Sequence, residues 1–470
     1  MGDLKCDVAV IGAGTAGISA ERKARAHGAT TLLIDPAFDG TMCANVGCMP
    51  SKLLIAAAKA AHDARTAGVF GVETGPVRPD GPRVMARVQA ERDRFAASTR
   101  TLFDRLPPGT TIKARARFTG PATLALSNGH TVEAKAVVIA VGSTPNMPDG
   151  YAALGARVLT NETIFELSDL PRSLAVVGGG AIGLEIAQAM ARLGVETALF
   201  NRSQILGAVD DPDVQGALAG IIGESVALHL GVEVTPHAAE NGVRMVWRGG
   251  DGGGERVFDK VLVATGRTPA LDGLDLERAG LALDERGVPL FDRETMQCGN
   301  APVFIAGDAD ADAPILHEAS NEGAVAGRNA AEFPSVERTC RTPRFTITFI
   351  DPPLAVVGAP PREGDTTGRS SYENQGRARV EARAKGLVRL YADPADGRLT
   401  GAVLLAPAAD HMAHLLALAI MRGETASDLL DMPFYHPTLE EGLRKALRDI
   451  CRATPLPLPD DRDGGDAPGA

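Results

Sequence analysis

Two Rossmann-like α/β domains followed by a C-terminal α+β domain are predicted for this 470-residue chain. Three observations predict them: two glycine-rich turns that each join an apolar strand to a helix, a repeated strand–Gly–Pro segment, and a change of texture after Cys340. A chain of this length exceeds a single core, so several domains are expected. Hydrophobic residues at 44% and charged residues at 23% describe a globular chain. A formal charge of -11 opposes nucleic acid or an anionic membrane as the main partner, since both repel it. The amino terminus enters a strand pattern almost at once, without the regions of an export signal, and the apolar stretch from His411 to Met421 is too short to span a bilayer. A cytoplasmic location is expected.

The first turn follows the strand Val8-Ala9-Val10-Ile11. Gly12-Ala13-Gly14-Thr15-Ala16-Gly17 leads into a helix read from Ala20 to His27, then a strand Thr31–Ile34 ending in Asp35. In this arrangement Gly12 permits the tight turn, Gly14 lets a pyrophosphate approach the backbone, and Gly17 lets helix and strand pack. Asp35 is placed to hold a ribose hydroxyl.

Next comes Cys43-Ala44-Asn45-Val46-Gly47-Cys48-Met49-Pro50-Ser51-Lys52. A proline suits the first turn of a helix, so Cys48 is predicted at the positive end of a helix dipole, where a thiolate is stabilised. Half a zinc site would need further Cys or His ligands at close spacing, and none follows nearby. The pattern points to a redox-active dithiol.

The glycine-rich turn returns after the strand Ser173–Val177 as Gly178-Gly179-Gly180-Ala181-Ile182-Gly183, with a helix through Leu193 and a strand Thr197–Phe200. Asn201-Arg202 stand where an acidic ribose clamp would be, so a cation is available for a 2'-phosphate and the site leans to NADP over NAD. Val137 to Pro145 and Val261 to Pro269 form an internal repeat, each a buried strand broken by glycine, Gly142 and Gly266, and then proline. Arg244–Arg248 and Glu255–Phe258 flank a glycine-rich loop and predict a hairpin. Val303–Ile305 is a further buried strand leading to Asp308.

From about Cys340, strands at 345–349 and 388–391 and helices at 410–421 and 441–452 predict the α+β domain. Within it, Tyr435-His436-Pro437-Thr438-Leu439-Glu440-Glu441 offers a histidine for acid–base chemistry with a carboxylate to fix its tautomer. Thr438 and Glu441 equally match a capping box that starts a helix. A disordered tail is expected over 454–470.

These motifs, in this order, resemble the flavin-dependent pyridine nucleotide-disulfide oxidoreductases from about Asp7 to Arg452. The resemblance implies FAD at the first glycine box, with Thr41 nearby and Asp308 at the ribityl chain, and NAD or NADP at the second. It implies an FAD-binding domain over 1–150 completed by a return segment 271–338, a nucleotide domain over 151–270 and a dimerisation domain over 339–453. Lys52 matches the family lysine beside the flavin, and Glu185 its ion-pair partner. Cys48 is implied to face the flavin and Cys43 to exchange with a small disulfide substrate. His436, bonded to Glu441, is implied to move protons for the partner subunit of a homodimer. Gly180–Glu185 and Ile315–Ala319 resemble the dihydrolipoamide dehydrogenase branch, which implies a lipoyl partner. Asp39 and Asn201 depart from that branch, leaving an NADPH-dependent reductase of another small disulfide as the alternative, and a non-catalytic nucleotide-binding subunit as a more distant one.

Overall fold

The computed structural model describes residues 3–250 and 252–455. Of the tail predicted from Thr454, all but Thr454 and Pro455 lies outside the described residues.

Apolar strands bounded by turns build two doubly wound layers. In the first, β1 (Asp3–Ile11) pairs in parallel with β2 (Thr31–Asp35) and β3 (Thr131–Ile139), and α1 (Thr15–Ala26) crosses between β1 and β2. Val8, Ala9 and Val10 are fully buried, as expected of strands covered on both faces. In the second, β4 (Ser173–Val177) pairs with β5 (Glu196–Asn201) and β6 (Lys260–Val263), all parallel, with α3 (Ala181–Arg192) as the crossover; α2 is the helix Cys48–Thr66 that precedes it in the chain. β7 (Val303–Ile305) then returns to the first sheet and pairs with Val137–Ile139.

The predicted hairpin forms as Gly242–Gly249 against Gly254–Phe258, with Val232–Ala239 as a third strand that the sequence did not suggest. The repeat has a structural consequence: Ser143–Pro145 and Arg267–Pro269 pair with each other, antiparallel. The C-terminal domain is a five-stranded antiparallel sheet backed by helices Ala409–Arg422 and Leu443–Ala453.

Two helix boundaries correct the sequence reading. α1 begins at Thr15, not Ala20, because Gly17 lies inside its first turn: a Cβ there would stand 1.8 Å from the carbonyl oxygen of Gly12, so glycine is needed for close approach despite its low helix propensity. The last helix is preceded by a 3-10 turn Glu440–Gly442 and starts at Leu443, not Glu441.

Close packing recurs where α1 meets α4 (Leu316–Glu332). A Cβ on Gly323 would stand 2.2 Å from the Ala16 carbonyl oxygen, and one on Gly327 2.2 Å from that of Ala20. Gly327→Val is expected to destabilise the protein by about 1–3 kcal/mol through overpacking. Its thermal midpoint should fall below wild type, and an unchanged midpoint would contradict this account.

Candidate functional site

Both glycine boxes form cradles of the same shape. Gly12 (φ +104°) and Gly178 (φ +115°) adopt a backbone closed to other residues, with a Cβ meeting the carbonyl oxygens of Ala140 at 2.3 Å and Ala264 at 2.2 Å. Gly183 repeats the packing of Gly17, its Cβ position 2.0 Å from the Gly178 oxygen, while Gly14 and Gly180 face open space. Gly14 and Gly180 cap α1 and α3 without any side-chain hydrogen bond. The first-turn N–H groups are therefore available to an anion at the positive end of each helix. This fits one dinucleotide pyrophosphate per box.

The residues after each second strand occupy equivalent places. The Asp35 carboxylate accepts from the Ala13 N–H at 2.9 Å and from those of Ala37 and Phe38 at 2.8 and 2.9 Å. A carboxylate offers about four acceptor sites, so one is left for a hydroxyl. The Asn201 oxygen accepts from the Gly179 N–H at 3.0 Å, and its amide donates to the carbonyls of Ser203 and Ile205. Asn201 thus builds the turn and carries no charge. Arg202 beside it is exposed, without a hydrogen-bond or ion-pair partner among the described residues.

Cys43 lies on a single helical turn, Met42–Asn45, capped by the Thr41 hydroxyl, which accepts from the Ala44 N–H at 3.3 Å. Cys48 is the first residue of α2, and both cysteines are free thiols. The Cys43 thiol donates to Cys48, which lowers Cys48 to about 7 and raises Cys43; burial opposes the first shift, and the Lys52 charge assists it. Lys52, one turn along α2, donates to both Glu185 oxygens at 3.0 and 2.8 Å and lies 4.4 Å from the Phe349 ring centroid. Glu185 is buried on α3 and also accepts from the Phe349 N–H at 2.9 Å. One carboxylate thereby joins the dithiol helix, the second nucleotide fold and the C-terminal domain.

A lowered Cys48 is a thiolate above about pH 7. Alkylation of the reduced protein by iodoacetamide should therefore rise through about pH 7, and Lys52→Met should move that midpoint upward. A midpoint near the ordinary thiol value of about 8.5 would contradict the assignment.

Asp308 sits in the turn after β7 and accepts from the Ser143 hydroxyl at 2.7 Å. Arg267 donates to that same hydroxyl oxygen at 2.8 Å and to Asn161 at 2.8 Å, and the Asn161 amide donates to the Val46 carbonyl at 3.2 Å. Val46 lies between the two cysteines. The sequence reading singled out Gly142 and Gly266, but the side chains that carry this network are their successors, Ser143 and Arg267. Gly142 (φ +71°) and Gly266 (φ +110°) supply the bends, and their carbonyls accept from Ala270 and Asn146. Only the glycine preceding each residue hinted at the network.

The last part lies in the C-terminal domain. His436 Nδ1 is 3.1 Å from both oxygens of Glu441. Glu441 is buried while the imidazole is half exposed. Glu441 also accepts from the Thr438 N–H at 2.9 Å, but the Thr438 hydroxyl donates to Tyr435 instead of capping. The Glu441 carboxylate thus sits both beside the imidazole and on the Thr438 amide, with only half of a capping box formed. With Nδ1 donating to the carboxylate, Nε2 is left as a proton acceptor. Among the described residues no hydrogen bond joins His436 to Cys43 or Cys48 within the chain. No cluster of metal-binding side chains and no helix long and apolar enough to cross a membrane occurs among the described residues.

A family model described as pyridine nucleotide-disulphide oxidoreductase matches residues 6–323, and the dimerisation domain of that name matches 345–447. Dihydrolipoyl dehydrogenase of Bacillus subtilis is 30% identical over 457 residues, 94% of this chain and 97% of the relative. Mercuric reductase of Streptomyces lividans is 32% identical over 456 residues, 94% and 95% of the two chains. Among solved structures, LpdA from Mycobacterium tuberculosis superposes with a TM-score of 0.80 at 24% identity, covering 94% of this chain and 99% of that one.

Proposed function

Since the chain belongs to the pyridine nucleotide-disulphide oxidoreductase family, flavoenzymes that use FAD and a pyridine nucleotide and here carry a dimerisation domain, we propose that it exchanges two electrons between NAD(P)H and a small disulfide of the lipoyl class through Cys43 and Cys48. The net reaction balances as NAD(P)H plus a proton plus a disulfide giving NAD(P)+ plus a dithiol. The bound flavin supplies the step that converts hydride transfer into dithiol chemistry. The observation that carries this reading is Cys48 at a helix start, one turn from a lysine that is itself fixed by Glu185.

In this reading Gly12, Gly14, Gly17, Asp35, Thr41, Gly142 and Asp308 hold FAD, and Lys52 lies beside it. Gly178, Gly180, Gly183, Asn201, Arg202 and Gly266 hold the nicotinamide dinucleotide. Cys43, the less acidic thiol, exchanges with the substrate disulfide while Cys48 holds the second sulfur charge. His436 takes the thiol proton, with Glu441 stabilising the charged imidazole.

Anaerobic titration with NADH and separately with NADPH, followed by lipoamide, tests the whole scheme. A long-wavelength absorption band after two electrons, discharged by lipoamide, is expected. Direct bleaching without that band would refute the dithiol role, and a band that persists with lipoamide would direct the search to another disulfide.

The neutral Asn201 and unpartnered Arg202 favour NADPH. Arg202→Ala should raise KM for NADPH by about 10-fold, the value of one charge-assisted contact, with little change for NADH. Equal changes for both nucleotides would remove Arg202 from this role.

A further inference from the structure

Behind Asp308 lies a buried polar cluster that the proposed electron path does not use. Glu322 on α4, 1% exposed, accepts from the Gly307 N–H at 2.9 Å with one oxygen and from Arg341 at 2.5 Å with the other. Arg341 belongs to the segment leading into the C-terminal domain, and it also donates to buried Glu318 at 2.7 Å and to the Arg293 carbonyl at 3.2 Å. Gly307, the residue before Asp308, stands at φ +71°, with a Cβ position 2.9 Å from the Ala16 side chain.

Asp310 completes the cluster. It is 3% exposed; one oxygen accepts from the Asp312 N–H at 2.9 Å, and the other has no donor among the described residues. Its side chain meets Glu322. Two carboxyl groups in contact away from water need a proton between them, because neither can donate when both are ionised.

We propose that Glu322 and Arg341 are positioning residues for Asp308, and that Asp310, as a neutral acid bonded to Glu322, closes the lock that sets the flavin-holding turn. The proposal rests on the reading that FAD occupies the first glycine box. Glu322 fixes the amide next to Asp308, Arg341 donates to Glu322 and Glu318 and balances their charge, and the proton on Asp310 serves the contact between the two carboxyl groups, where neither could donate if both were ionised. The other charged groups around Asp310 are Asp312 on its own turn, itself paired to Arg293 at 2.6 Å, and Arg341, which is bonded to Glu322. Buried Cys298 also lies close by. Burial and the Glu322 charge push Asp310 up to about 8. Asp310 therefore loses its proton as pH rises through that value, the two carboxylates repel, and the lock opens.

The test is FAD affinity of the full-length apoprotein, read by quenching of flavin fluorescence from about pH 6.5 to 9. Linkage to one proton limits the loss to about tenfold per pH unit above about 8, and wild type should lose about tenfold across the range. Asp310→Asn, which keeps a donor toward Glu322, should hold its affinity within about twofold. Glu322→Ala should weaken FAD binding by about tenfold at neutral pH, with partial rescue in Glu322→Gln, which keeps an acceptor for Gly307. A wild-type affinity independent of pH, an Asp310→Asn slope equal to wild type, or a Glu322→Ala affinity within twofold of wild type would overturn the proposal. If Glu322→Ala does not fold, the Asp310→Asn comparison decides alone. Wild type that binds no FAD at any pH would instead overturn the cofactor reading beneath it.

Discussion

Cys48→Ser is expected to abolish disulfide turnover by on the order of 10³-fold or more, as loss of one member of a group that acts as a unit does, while FAD and NAD(P)H binding persist. Cys43→Ser should be equally inactive toward disulfides but spectrally different. It retains the Cys48 thiolate, so its long-wavelength band should appear in the oxidised enzyme without reduction. Serine keeps a hydroxyl donor toward Cys48, the largest cause of its lowered value, so this band should still titrate near 7. Comparing the two serine variants assigns the sulfurs. A band in Cys48→Ser and none in Cys43→Ser would reverse their roles, and normal turnover in either would remove the dithiol from the reaction.

His436→Gln is the second large effect, expected at 10²- to 10⁴-fold, the usual range for a missing acid–base group. Its pH–rate profile should lose the limb that belongs to the imidazole. The exposed imidazole, unconnected to either cysteine within its own chain, also permits a test of subunit sharing. If the histidine of one protomer serves the dithiol of its partner, mixing Cys48→Ser with His436→Gln restores one intact site in each hybrid dimer. Random reassortment of two equal populations then recovers about one quarter of wild-type activity. No recovery, with hybrids shown to form, would place both groups of each site in one chain.

The legible parts of the site were those whose chemistry is local. Glycine boxes, the Cys43–Cys48 spacing and the His436–Glu441 pair each lie within a few residues, and the structure brings together the atoms that the spacing implied. Gly17 misled the helix boundary because propensity favours a later start, whereas contact with Gly12 requires glycine at that point. Ser143, Arg267 and Asn161 escaped notice because their partners lie more than a hundred residues away. Arg341 and Glu322 escaped for a similar reason: a charged residue in a sequence reads as surface until burial is known. Lys52 and Glu185, 133 residues apart, were reached only through family resemblance.

The antiparallel pairing of Ser143–Pro145 with Arg267–Pro269 makes everything between them a cassette with entrance and exit side by side. Such an insert is held by a two-stranded stalk in addition to the core it shares with α2 and the C-terminal domain, and paired ends resist rotation in a way that one flexible tether cannot. Joined ends are also the condition under which a module can be lifted out or exchanged without unthreading its host. Bridging the chain from Thr144 to Thr268 with a short turn keeps the connection between the first sheet and β7 but bares the faces of α2 and of the C-terminal domain that pack on the insert.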